Sequence, residues 1–413
     1  NPTAQVNPTN DFIVSNGDNI NIPFTTINSG GTTTYNWSNS DSTVGLTATG
    51  FGDIDFTVVN NGTAPVTTTV VVTPTFENGG NSNSGPTETF TITINPTAQI
   101  DPIDSLVFCN EDVINPIEFT TQNTGGTTTY TWTNDNTSIG LAASGAGTIS
   151  EFTVLNSLDI AQTANIVVTP TFDNGGVSNT GGSESFTITV NPTAQVELIS
   201  DLVYCNEDIS DEIVFDTINT DGVSSYSWTN DNTDIGLAAA GNGNIPSFTT
   251  LNSSSASVVS NITVTPSYTN NGVTCDGPSE IFTITVNPTA QVEEISNQIL
   301  CNGETTEIIS FDTINTDGVS SYSWTNDNTD IGLASSGNSD ILAFTVSNPF
   351  NNIIVSNITV TPTYTNNGIS CSGPSKSFTI SVNPTAQVDT VIDQVLCNGE
   401  TTESIVFTTI NSG

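Results

Sequence analysis

The sequence predicts an all-β chain: tandem β-sandwiches laid end to end as a rod. Three observations carry that prediction. The phrase Asn-Pro-Thr-Ala-Gln-Val/Ile returns at Asn1, Asn95, Asn191, Asn287 and Asn383, in steps of 94 residues and then 96. Within each copy, apolar residues recur with period two, as strands with one buried face require. Thr, Asn, Ser, Gly and Val dominate, residues that make strands and turns, while strong helix formers are scarce. At 34% hydrophobic, with that periodicity, the chain is not a disordered one.

The elements follow in order through residues 191–286. "AQVELISDLVY" reads as an extended opening strand. In "EIVFDTI", Ile213, Phe215 and Thr217 alternate with Val214, Asp216 and Ile218. After the turn "NTDG", "VSSYSWT" puts Tyr226 and Trp228 on one face. "NDNTDIGL" reads as a loop into a short strand, followed by strands in "NIPSFTTL" and "VVSNITVTPSY". "TNNG" is a hairpin turn, and "PSEIFTITV" closes the copy. About seven short strands in roughly 96 residues is the pattern of an immunoglobulin-like sandwich. Trp37, Trp132, Trp228 and Trp324 recur on the third strand, where such a sandwich buries an aromatic. The domain boundaries are then 1–94, 95–190, 191–286 and 287–382, with 383–413 the start of a fifth, truncated repeat, so the chain reads as a piece of something longer. Each copy is long enough to bury its own core.

The recurring phrase is a joint. It holds no Gly, and its Pro fixes φ and biases the preceding Asn toward extended backbone. A flexible tether would be rich in Gly and Ser. The joint is therefore short and stiff, and each copy should advance the chain by roughly 40 Å.

The six cysteines occupy two positions in the repeat. Cys109, Cys205, Cys301 and Cys397 lie at the first turn; Cys275 and Cys371 lie just past the last hairpin. Pairing within a copy gives Cys205–Cys275 and Cys301–Cys371, and strands Cys109. Pairing across the joint gives Cys109–Cys275 and Cys205–Cys371, and sends Cys301 and Cys397 to mates beyond residue 413. A third scheme, Cys275–Cys301 with Cys371–Cys397, strands Cys109 and Cys205. The cross-joint scheme is preferred. First turn and last hairpin lie at opposite poles of one sandwich, and bridged Cα atoms must come within about 7 Å. Ser15 and Asn179 stand where a further staple would need its two halves, so both halves are missing together. The within-copy scheme stays open, and either implies an oxidising, extracellular setting.

Charge narrows the partners. One Lys (Lys376) stands against 42 acidic residues, with no His, for a net charge of −41. Such a surface repels nucleic acid and anionic lipid, and no membrane span is present. Enzyme chemistry lacks its parts: no His, no nucleophile paired with a base, no phosphate loop. A zinc site is not expected, without His and with single, scattered Cys. No cofactor is expected. The oxygen-rich turn "NDNTDIG" makes Asp231, Asp234, Asp327 and Asp330 weak calcium candidates, set against a solvated Asx turn without EF-hand spacing.

Three stretches stand out: residues 130–156, "NITVTPSYTNNGVTCDGPSEIFTITVNPTAQV" from Asn261, and "LCNGETTEIISF" from Leu300. On these the unit resembles the PKD-like, immunoglobulin-like tandem repeats of very large Bacteroidota cell-surface adhesins, including those of gliding motility. It implies a structural stalk or filament segment outside a Gram-negative cell, attached at the outer membrane and exported by type IX secretion. It implies O-glycosylation of Asp-Ser/Thr triplets, with candidates Ser42, Ser105, Thr217, Thr313 and Thr390. The partners expected are neighbouring repeats of the same long chain. The rival expectations are that the repeats themselves bind surface glycans or a substratum by weak multivalent contacts, or assemble into a filament.

Overall fold

The computed structural model describes residues 1–412. The chain is nearly all β, in repeated sandwich-like units, one six-stranded sheet to each copy. It divides into two compact units: one of residues 1–194, 219–224 and 267–277, the other of residues 195–218, 225–266 and 278–413.

In the first unit, the sheet of the second copy runs Ser144–Ala146, Thr127–Asn134, Gln162–Asn174, Glu184–Asn191, Leu106–Cys109, with Val177–Thr180 added to the long strand by a hairpin. The first copy repeats it with Thr49–Phe51, Thr32–Asn39, Val66–Asn78, Glu88–Asn95 and Phe12–Ser15, and hairpin strand Asn81–Ser84. Neighbours are antiparallel except the outer pair: the opening strand lies parallel to the closing one, Leu106 opposite Ile188 and Cys109 opposite Asn191. The 13-residue strand Gln162–Asn174 carries Pro170 in its middle. There the strand exchanges its closing-strand partner, which ends at Val168, for the hairpin partner, which begins at Thr171. A missing N–H costs nothing at that change-over. One face of the long strand is buried: Ile166, Val168 and Phe172 alternate with half-buried Val167, Thr169 and Thr171.

The second unit holds the corresponding sheet of the fourth copy: Gln298–Cys301, Lys376–Asn383, Ile354–Asn366, Val319–Asn326 and Ser336–Gly337, with Ile369–Ser372 on the hairpin. Cys205 and Cys301 lie opposite Asn287 and Asn383 in the same parallel register.

Several predicted elements change. Of "AQVELISDLVY" only the last three residues join a ladder, in the strand Leu202–Cys205. "EIVFDTI" and "NIPSFTTL" form no strands; they touch through the isolated bridge Ile213–Ile245, with Ile209–Thr249 beside it. Alternation survives without the ladder: Ile213 and Phe215 are buried while Val214 and Ile218 are exposed. The side chains cover the sheet's inner face, and Pro246 offers no N–H for pairing. "NDNTDIGL" contains a 3₁₀ turn, Thr233–Ile235, capped by the Asn232 side chain. The strand after it is Ala240–Asn242, and the connection past the "TNNG" turn holds a further strand, Val273–Asp276.

The joint as candidate functional site

The parallel outer pair decides what faces the next copy. It brings Cys109 level with Asn191, the first residue of the joint phrase. Both side chains then reach the same β-hairpin. Asn191 Nδ2 donates to the carbonyls of Asn270 and Val273, at 3.2 and 3.3 Å. Cys109 is bonded to Cys275 on that hairpin, with Cα atoms 5.5 Å apart. The pattern recurs in the second unit: Asn287 Nδ2 donates to the carbonyls of Asn366 and Ile369, and Cys205 is bonded to Cys371. The within-copy alternatives Cys205–Cys275 and Cys301–Cys371 are not formed. The parallel pair carries each first-turn cysteine to the end of its copy, against its neighbour's hairpin.

The joint between the first and second copies has no sulfur. Ser15 Oγ donates to the Ser178 carbonyl at 3.2 Å, and Asn95 Nδ2 donates to Asn174 and Val177. Asn179 donates to the Pro96 carbonyl. Cys301 and Cys397 carry exposed free thiols.

Around this pair the phrase is pinned residue by residue. Asn110 Nδ2 donates to Thr193 Oγ1 at 2.9 Å, and the Asn110 N–H to the Asn191 carbonyl. Ala194 is buried, and a Cβ on Gly277 would stand 1.8 Å from its carbonyl oxygen. Asn123 ties three pieces together. Its Oδ1 accepts the Gln99 N–H at 2.6 Å, and its Nδ2 donates to Thr97 in the joint and Thr63 in the copy before. Asn315 does the same with Gln291, Thr289 and Ser255 in the second unit. Asparagines bonded at both ends rigidify what they connect. Sequence reasoning missed Asn110, Asn123 and their equivalents. Asn is abundant in this chain, and the one usable signal was recurrence at the repeat period.

One joint is incompletely satisfied. Asn287 Oδ1 accepts from Ser257 Oγ at 2.9 Å, and Ser257 also receives Asn366 Nδ2 and meets Tyr364 Oη. Ala161 occupies the position equivalent to Ser257 one copy earlier, and Asn191 Oδ1 is buried with no partner among the described residues.

The other candidates lie apart from the joints. Trp37, Trp132, Trp228 and Trp324 are buried, at 8, 7, 4 and 7% exposure, each against a glycine of the adjacent short strand. The Asp231 carboxylate accepts from Asn261 Nδ2 and N–H at 2.7 and 2.8 Å; these bonds hold it below the usual carboxylate range. Asp327 is held likewise by Asn357. Asp234 and Asp330 sit instead in the 3₁₀ turns. Among the described residues no cluster of three or more His, Cys, Asp or Glu is placed to hold a metal. Ser42, Ser105 and Thr390 are exposed. Ser105 Oγ accepts the Thr187 N–H. Thr217 and Thr313 are half-buried, and the Thr313 hydroxyl donates to Asn315 Oδ1.

No family model matches the chain, and no curated protein matches it in sequence. Among solved structures it is similar to the human Desmocollin-1 ectodomain, at 13% identity and TM-score 0.29, over 98% of this chain and 86% of that one. It is similar to Drosophila N-cadherin EC1-4, at 12% identity and TM-score 0.28, over 91% and 99%. Sidekick-1 immunoglobulin domains 1-5 match at 12% identity and TM-score 0.27, over 92% and 80%. Among the described residues no helix is long and apolar enough to cross a membrane.

Proposed function

We propose that this chain is a structural stalk segment of a large extracellular adhesin, a stiff spacer that passes tension from copy to copy and presents a distal tip. The single observation that carries the reading is the braced joint. Disulfides cross from one copy to the hairpin of the next, and asparagine side chains bond both neighbours at once. A passive linker needs none of these. Each copy, 1–94, 95–190, 191–286 and 287–382, is one folding module, with 383–413 opening another. The role is mechanical and not enzymatic. Disulfides and a net charge of −41 suit an oxidising exterior. The sequence resemblance extends the reading to a gliding-type adhesin at the outer membrane of a Gram-negative cell, exported by type IX secretion and glycosylated on exposed Ser42, Ser105 or Thr390. The buried Trp of each Tyr-x-Trp pair argues against a sugar-stacking platform there.

Small-angle scattering and electron microscopy of the whole chain test this. An elongated particle advancing roughly 40 Å per copy, with little bending at the joints, is the expected result. Copies that tumble independently under oxidising conditions would overturn it.

A further inference from the structure

The half-cystines run Cys109, Cys205, Cys275, Cys371 along the chain, and the bonds join first to third and second to fourth. Each spans 166 residues; the second opens inside the loop of the first, and the first closes inside the loop of the second. Cys109 with Cys275 makes one covalent node; Cys205 with Cys371 makes another. Three stretches of chain connect the two nodes: 109–205, 205–275 and 275–371. Disulfides placed side by side, one inside each copy, would leave a single strand between copies.

We infer that residues 109 to 371 form a covalently three-stranded cable, which a break in one strand, or in two of the three, does not sever. Hydrolysis of a peptide bond there adds water across it and leaves a new carboxylate and a new amine, yet both ends stay attached to the same two nodes. The cable also limits extension. Were the copies to unfold under load, the shortest strand, about 70 residues, would go taut at roughly 240 Å; the unstapled stretch of about 260 residues would reach roughly 900 Å. Reduction removes the limit: each disulfide takes up two electrons and two protons from a dithiol and becomes two thiols. This goes beyond the stalk reading and does not depend on it, because chain connectivity is the same whether the copies are stiff or limp.

The chain's composition supplies the test. Lys376 is its one basic residue, so K376Q removes the native trypsin site, and a single introduced Lys creates a unique one. Ser157 and Ser253 are exposed and lie in different strands of the cable; Ser82 is exposed and lies outside it. The oxidised 413-residue protein is capped at free thiols with N-ethylmaleimide, then cut by trypsin in moderate urea, so that folding does not decide access. S157K/K376Q should migrate as one full-mass species without reductant and as two pieces after dithiothreitol. S157K/S253K/K376Q should also stay whole until reduced. S82K/K376Q, cut outside the cable, should separate without reductant. Release of residues 1–157 from S157K/K376Q without reductant would overturn the inference; within-copy bonds and absent bonds both give that result. The stiffness measurements above leave this outcome untouched, and it leaves theirs.

Discussion

Cys109 lies directly across a parallel strand pair from Asn191, and both residues hold the hairpin that runs from Asn270 to Cys275. A covalent bond and a pair of hydrogen bonds thus converge on one turn of the neighbouring copy.

Removing the covalent half should weaken that junction strongly. For a 166-residue separation, loop-closure entropy alone gives about 5 kcal/mol, and realised values are commonly about 2–4. C109S/C275S should therefore lower the urea midpoint of the transition that includes this junction, while C301S leaves it unchanged. Equal midpoints for C109S/C275S and the parent would refute the staple.

The unpartnered Asn191 Oδ1 offers a gain. Ala161→Ser places a hydroxyl where Ser257 serves Asn287. The expected stabilisation is about 0.5–1.5 kcal/mol, read as a higher melting temperature. The reverse change, Ser257→Ala, should cost about 1–3 kcal/mol, because it strands buried polar atoms. A neutral Ser257→Ala variant would show that the hydroxyl is incidental.

Gly277 permits close approach of the joint. A Cβ there meets the Ala194 carbonyl oxygen at 1.8 Å, and backbone cannot swing aside as a side chain can. Gly277→Ala should cost about 1–3 kcal/mol and increase bending between the second and third copies in scattering. An unchanged midpoint and unchanged scattering would mean that the joint has slack.

Acid should loosen the copies. The side-chain amides and N–H groups of Asn261 and Asn357 hold Asp231 and Asp327 below their ordinary value of 3.8. With a depressed folded pKa, the unfolded chain takes up the proton first. The stabilisation is full above the unfolded value and is lost as pH falls through the folded one. Urea midpoints should drop below about pH 4, and D231N/D327N should drop less steeply. A variant whose midpoint falls as steeply as the parent's would assign the acid sensitivity to other carboxylates.

Much of this was legible beforehand, and the misses have a common cause. The Trp positions, the 96-residue period and the two cysteine positions are local patterns. "EIVFDTI" looked like a strand because its burial alternates, and it does alternate, yet a ladder needs a partner at the right height along its whole length. Only Ile213 finds one near that segment's start. Glu111 and Glu207 were silent in sequence too. They adopt φ of 71° and 69° where Gly17, Gly303 and Gly399 stand in other copies, because the turn demands a left-handed residue.

The sequence by itself determined the fold class, the repeat period and a short menu of cysteine pairings, because periodicity and composition act over a few residues. Tertiary structure alone decided which pairing forms and which asparagines clamp the joint. Both depend on the register of strands some 80 residues apart, Leu106 opposite Ile188 and Cys109 opposite Asn191. Such a register is set by packing a whole sheet face at once, since a slip of one residue would turn every buried side chain outward.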